Sequence, residues 1–413
     1  MTSRESTHPL TDIQQPYWQL AIIQLVGWTS LPIVATSILI LQTNSFLGAA
    51  ITIVVGNAIM WFIRFGIIAM SYEGRKSTLD LSQEYFGRTG SYFIAILLLI
   101  STFAWFIAQT TAASNTITEL LTIHENPQID PLIQVSVILG LTSTLLCMEG
   151  MVLLRWLSTI SFPILLVTFM FILFALPHNL QENTNPLSLS GLTLVLATNL
   201  GITSDMPTFF RHSRSWVESI KGLTLTQLIT LAFGLASLFL GSIVNGFFEI
   251  NNSVIAGENN ALLRISLLIF IFVTAVCTNV ANVYSASVGW ELVAPRTLVG
   301  RKEYMILGLC LTIFYILLSN VFSPIYLLET SDCALVNFCL VLIFAYLVIR
   351  YQKIKPTPYQ QCVYFTAWLL STAANTVQFS LEPNPSQSPL LVSLGIIVII
   401  TMLVFLPVRS IRK

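Results

Sequence analysis

Apolar runs of about twenty residues, joined by short polar links, fill almost the whole chain. A helix needs roughly 20 apolar residues to cross a bilayer. Runs of that kind cover 18–42, 46–70, 91–122, 132–148, 152–176, 191–210, 222–247, 262–293, 304–323, 329–349, 361–380 and 388–408. The pattern predicts an all-α integral membrane protein of about 12 transmembrane helices. Two of the runs are interrupted. Segment one carries Gly27-Trp28-Thr29-Ser30-Leu31-Pro32 near its middle. Segment six carries Thr198, Asn199, Gly201, Thr203, Ser204 and Asp205, followed by Pro207. In hydrocarbon, a broken backbone is tolerated only where it is buried in protein or lines a polar cavity.

Charge supplies the orientation. Lys and Arg favour the cytoplasmic side of short loops. With the N-terminus inside, Arg75, Lys76, Arg88, Arg155, Arg211, Arg214, Lys221, Arg296, Arg301, Lys302, Arg350, Lys353, Lys355, Arg409, Arg412 and Lys413 all fall inside. The opposite loops, 43–45, 123–131, 177–190, 249–261, 324–328 and 381–387, contain neither residue. Arg64, which could snorkel, and Arg264 depart from the alternation. Segments one and six then run in opposite directions, and segments three and eight, each third in its group of five, are unusually long. Interrupted helices at matching places in oppositely oriented groups mark an inverted-repeat transporter. The expected organisation is a cytoplasmic tail over 1–17, five-helix repeats over 18–176 and 191–349, two additional helices over 361–408, and a cytoplasmic tail over 409–413.

Composition agrees and narrows the class. The chain is 55% hydrophobic and only 9% charged, whereas soluble domains average about 25% charged. Its formal net charge of zero implies no nucleic-acid partner. The polar first sixteen residues lack the basic, apolar and small-residue regions of a signal peptide. Cys147, Cys277, Cys310, Cys333, Cys339 and Cys362 show no CxxC spacing and read as packing residues.

Charge at membrane depth is costly and usually functional, and here it is scarce. Asp205 sits toward one end of segment six, while Glu119, Glu149, Glu329 and Asp332 lie near segment ends. The histidines, His8, His124, His178 and His212, are all in flanks, which argues against a membrane enzyme built on a metal or a nucleophile–base pair. The deep polar groups are neutral. They are Gln24, Trp28, Thr29 and Ser30; Trp105 and Gln109; Thr198 and Asn199; and Thr274, Cys277, Thr278, Asn279 and Asn282. Trp105 and Gln109, four apart, share a helix face, as do Asn279 and Asn282, three apart. An indole stacks on a heteroaromatic ring. Carboxamides offer donor and acceptor together, matching a nucleobase edge. The competing reading makes each amide interhelical glue and Trp105 packing. An amino-acid permease, its carboxylate held at the Gly27–Ser30 break, is the alternative cargo class.

These residues also carry a resemblance. Phe86-Gly87-Arg88-Thr89-Gly90-Ser91, Trp105-Phe106 with Gln109, Asp205 with Phe209-Phe210-Arg211, and Thr278-Asn279 are similar to the nucleobase–cation symporter-1 family. The resemblance spans residues 18–290. It implies a leucine-transporter-type fold with a 5+5 inverted repeat plus two extra helices. It further implies import of a nucleobase-like compound by cation symport across the cell membrane. It assigns base contacts to Trp105, Gln109 and Asn279, with Asn282 one residue before the usual second Asn. The aromatic that the family often presents from segment six has no counterpart among Leu196 to Asn199. It places a sodium site at the Thr274 carbonyl and the side chains of Cys277 and Thr278. A thiol is a poor ligand for a hard cation, so weak sodium dependence, or a proton as the coupling ion, is expected.

Overall fold

The computed structural model describes residues 14–29, 31–121, 131–148, 150–175, 203–243, 261–293, 301–318, 324–352, 355–381 and 395–400. Within 191–202 it describes Gly191, Leu192, Val195, Leu196 and Asn199. The fold is all-helical. In chain order the helices are α1 (Tyr17–Trp28), α2 (Leu31–Thr43), α3 (Phe46–Gly74), α4 (Thr78–Leu121), α5 (Pro131–Cys147), α6 (Met151–Ala175), α7 (Met206–Phe210), α8 (Trp216–Ile243), α9 (Ala261–Val293), α10 (Arg301–Leu318), α11 (Pro324–Gln352) and α12 (Pro358–Leu381). The last apolar run, 388–408, is helical over 395–400, and the rest of it lies outside the described residues.

The surface shows which solvent surrounds the bundle. Leu47, Phe62, Val167, Phe174 and Leu262 are 67–70% exposed. Water would disfavour such a surface, and lipid tails would not. Among the described residues, six helical stretches are long and apolar enough to span a bilayer: Phe46–Gly74, Thr78–Leu121, Met151–Ala175, Trp216–Leu240, Ala261–Trp290 and Thr330–Arg350. The chain is therefore a multi-pass membrane protein. Its interior holds what a soluble core usually excludes. Arg64, Asn279, Asn337 and many hydroxyls are fully buried. Many of the buried hydroxyls donate to the carbonyl four residues back, which satisfies them within their own helix.

Two local features set the geometry of the site. Segment one is divided as its sequence predicts. Helix α1 ends at Thr29, whose amide and hydroxyl both donate to the Leu25 carbonyl, and α2 begins two residues later, with Pro32 in its first turn. Segment three is longer than its apolar run suggests. Helix α4 starts at Thr78 on a reciprocal cap, in which the Asp80 amide donates to the Ser77 hydroxyl and the Ser77 amide to the Asp80 carboxylate. The helix kinks at Gly87, where φ is +72°, a conformation that costs any residue with a Cβ. The polar stretch 78–86 thus becomes an extra helical arm, and α4 crosses the bundle beyond it.

Candidate functional site

The long helices α4 and α9 pack along each other, and α1 crosses α9 where segment one breaks. Segment six breaks at the same place. Thr203 is helical, Ser204 and Asp205 form a turn, and α7 begins at Met206 with Pro207 in its first turn, where no amide is missed. Between these elements lies a cavity of about 100 Å³. One water needs roughly 10–15 Å³ on this measure, so the space suits a small molecule or several waters.

The wall is drawn from the elements the sequence marks. Helix α1 gives Gln24, Gly27 and Trp28; α4 gives Ser101, Thr102, Trp105 and Gln109; the break gives Ser204, Asp205 and Phe209; α9 gives Thr278, Asn282 and Ser285. Several of these groups are buried with nothing to bond. The Trp28 indole N–H, the Asn282 amide nitrogen and the Gln109 carbonyl oxygen have no hydrogen-bond partner, although Trp28 is 1% and Gln109 3% exposed. An unmet buried donor or acceptor costs about 1–3 kcal/mol. The cavity therefore offers two aromatic faces and both kinds of unfilled hydrogen-bonding position.

Other residues with a sequence-based claim to the site have different partners. Asn279 lies behind the wall. Its Nδ2 donates to the Thr110 hydroxyl at 2.9 Å, tying α9 to α4, and its Oδ1 is unpaired. Thr29 is spent on the α1 terminus. Thr198 lies outside the described residues. Asn199 accepts from Arg64 at its side-chain oxygen, at 2.9 Å, and at its backbone carbonyl, at 3.2 Å. In the proposed ion set, the Thr274 hydroxyl donates to the Phe270 carbonyl, and the Thr278 hydroxyl to the Thr274 carbonyl at 2.9 Å. The Cys277 thiol is buried. Of the three, only Thr278 reaches the cavity. The described set therefore offers the Thr274 carbonyl and the Thr278 hydroxyl, beside a soft thiol that is a weak ligand for a hard cation. Among the described residues there is also no group of three or more His, Cys, Asp or Glu fit to hold a metal.

Charge is where the structure departs most from the sequence reading. Arg64 does not snorkel. It is fully buried, with its guanidinium carbon 3.7 Å from the centroid of the Trp28 ring. It donates to Thr203, Gln227 and Asn199, all neutral oxygens. Gln227 in turn donates to Asn57. Asp332 backs the other indole, accepting from Trp105 Nε1 at 3.0 Å and from the Ser101 hydroxyl at 3.4 Å. Trp28 thus has the Arg64 guanidinium over its ring, and Trp105 has its indole N–H bonded to Asp332. Asp205 is itself part of the wall, as is Ser285 of α9. Sequence alone put Asp205 and Asp332 near segment ends and let Arg64 snorkel; the partners that hold Arg64 and Asp332 are distant in the chain and were not visible in it.

No family model matches the chain, and no curated protein matches it in sequence. Solved structures do. The inward-facing conformation of Mhp1 superposes with a TM-score of 0.68 at 15% identity, covering 98% of this chain and 96% of that one. Mhp1, a nucleobase-cation-symport-1 family transporter, is also matched in a closed conformation with bromovinylhydantoin bound, with a TM-score of 0.68, 16% identity, and coverage of 96% and 92%. A Na+-coupled sialic acid symporter in a substrate-bound outward-open state gives 0.67 at 14% identity, with coverage of 95% and 90%. The Eremococcus coleocola manganese transporter gives 0.55 at 16%, covering 100% and 97%. The chain has the leucine-transporter-type fold shared by these proteins, over its full length.

Proposed function

We propose that this chain is a secondary active transporter that imports a small neutral heteroaromatic compound of the nucleobase class by cation symport. The observation that carries the reading is the cavity at the meeting of the two helix breaks, walled by Trp28 and Trp105 and supplied with the unpaired polar atoms of Gln109 and Asn282. A planar ring with alternating donors and acceptors fills such a space. Each aromatic contact would contribute about 1–3 kcal/mol, and the ring edges would meet the stranded amides. Transport needs a central site reached alternately from the two sides, and broken helices at a repeat interface are how such folds build one. On this reading residues 18–176 and 191–349 are the two repeats, and the protein sits in the cell membrane with both termini cytoplasmic. The amino-acid alternative loses support at Thr29. Its amide, one donor of the expected carboxylate cradle, is already bonded to Leu25.

The test is uptake of labelled cytosine by cells expressing the chain, challenged with uracil, purines, hydantoins, thiamine-precursor pyrimidines and amino acids. Competition confined to the heterocycles is expected. Competition by amino acids alone, or no saturable uptake of any ring compound, would overturn the assignment.

A further inference from the structure

A molecule in the cavity meets one ionisable side chain, because Asp205 is the sole acid or base in the described wall. It sits in the turn 204–205 at the helix break and lines the cavity together with Ser285 of α9. The charged and titratable groups around it are otherwise engaged. From α3, Arg64 is held behind Trp28 by Thr203, Gln227 and Asn199. From α11, Asp332 is turned to Trp105 and Ser101, and the buried Cys339 thiol lies within electrostatic reach of both Asp205 and Arg64. From α9, Tyr284 packs its ring on Phe209. From α4, Thr78 bonds to the Ser204 carbonyl and fixes the turn.

An ionised carboxylate only accepts hydrogen bonds. A neutral aminoheterocycle presents, side by side, an exocyclic N–H donor and a ring nitrogen acceptor. Set against a carboxylate, the amine is satisfied and the ring nitrogen faces an oxygen lone pair. One proton removes the conflict, whether it is written on the acid or on the ring. We propose, resting on the transport reading above, that Asp205 is the residue where substrate and coupling ion meet: its carboxyl pairs with the N–C–NH2 edge of an aminopyrimidine or aminopurine, and one proton is shared in that pair. No covalent bond breaks. The proton comes from water on the loading side and leaves with the base on the other, so each substrate carries one positive charge across. Imide rings such as uracil present a single N–H between carbonyls, which a carboxylate accepts unaided, so they bind without the proton.

Titration calorimetry on the purified full-length protein, in buffers of different ionisation enthalpy, counts the protons taken up. At a pH near 7.5, cytosine binding should take up about one proton, and its affinity should fall about tenfold per pH unit above that. Uracil binding should take up none. Asp205→Asn offers an acceptor and a donor in the same plane, so it should still bind cytosine, with no proton uptake and no pH dependence. Cytosine binding to the unsubstituted protein without proton uptake overturns the proposal, as does equal uptake in Asp205→Asn. The first of these needs no variant, so misfolding cannot obscure it. Failure of every heterocycle to bind the unsubstituted protein is a different result, and it removes the transport reading instead.

Discussion

At the scale of single residues, the site depends on spacing that the sequence displays and on partners that it conceals. Trp105 and Gln109 fall on one face because they are four apart, and both line the cavity. What holds Trp105 in place is Asp332, more than two hundred residues on. Arg64 and Asn199 are likewise far apart in the chain, and each looked like a different kind of residue until the fold joined them. Trp105→Ala and Gln109→Ala should each weaken substrate binding by about 1–3 kcal/mol at normal membrane expression. Asn282→Ala should do the same. Binding assays on the three variants check this, and unchanged affinity in all of them would move the site elsewhere. Asp332→Asn keeps an acceptor for the indole but not its charge, so it should cost less than Asp332→Ala.

At the scale of elements, the breaks were legible and their stitching was not. Gly, Pro and small polar residues inside apolar runs are local signals, so the division between α1 and α2 could be placed to within a few residues. The arm over 78–86 was missed because it is too polar to register as a span, and its kink depends on Gly87. Gly87→Ala should destabilise the protein by about 1–2 kcal/mol, since its Cβ would also come 3.0 Å from the Gln361 side-chain oxygen. Thermal unfolding in detergent reads that loss. The loop between α7 and α8 holds a second test. Gln15 pairs with its backbone, donating to the His212 carbonyl at 2.8 Å and accepting from the Arg214 amide. His212 is 5% exposed, accepts from Arg211 at 3.3 Å, and has its pKa pushed down to about 4, first by burial and then by Arg211 and Arg75. The unfolded chain therefore binds the proton that the folded loop refuses. Stability from this group is complete above the ordinary imidazole range and is lost as pH falls from about 6.5 toward 4, by about 2 kcal/mol at pH 5. His212→Gln should flatten that part of the curve of unfolding temperature against pH. An unchanged slope would mean that another group titrates there.

At the scale of the whole molecule, orientation rests on the distribution of positive charge. The fold gathers one set of basic residues at one end of the bundle. The Arg75 guanidinium donates to the Arg211 and Ser213 carbonyls. Lys76 pairs with Glu84 at 2.6 Å, and Arg350 with Glu73 at 3.0 Å. Lys355 lies in the same recess. These pairs are partly or largely exposed and contribute little to stability. Their collective effect is on insertion, because basic loops resist translocation. Arg264, on α9, is the exception among the described residues. It donates to the Leu120 carbonyl at the end of α4, which satisfies the side chain without carrying it into a loop. The end that bears Arg75, Lys76, Arg350 and Lys355 should therefore face the cytoplasm, together with Gln15, whose backbone pairs with the loop there. Single cysteines placed at Thr357, beside Lys355, and at Asn183, in a loop without Lys or Arg, test this in a cysteine-free background. A membrane-impermeant thiol reagent added to intact cells should label the cysteine at 183. It should reach the one at 357 only after permeabilisation. Labelling of both from one side would mean that an odd number of crossings does not separate them, and the antiparallel placement of the two five-helix groups would fall with it.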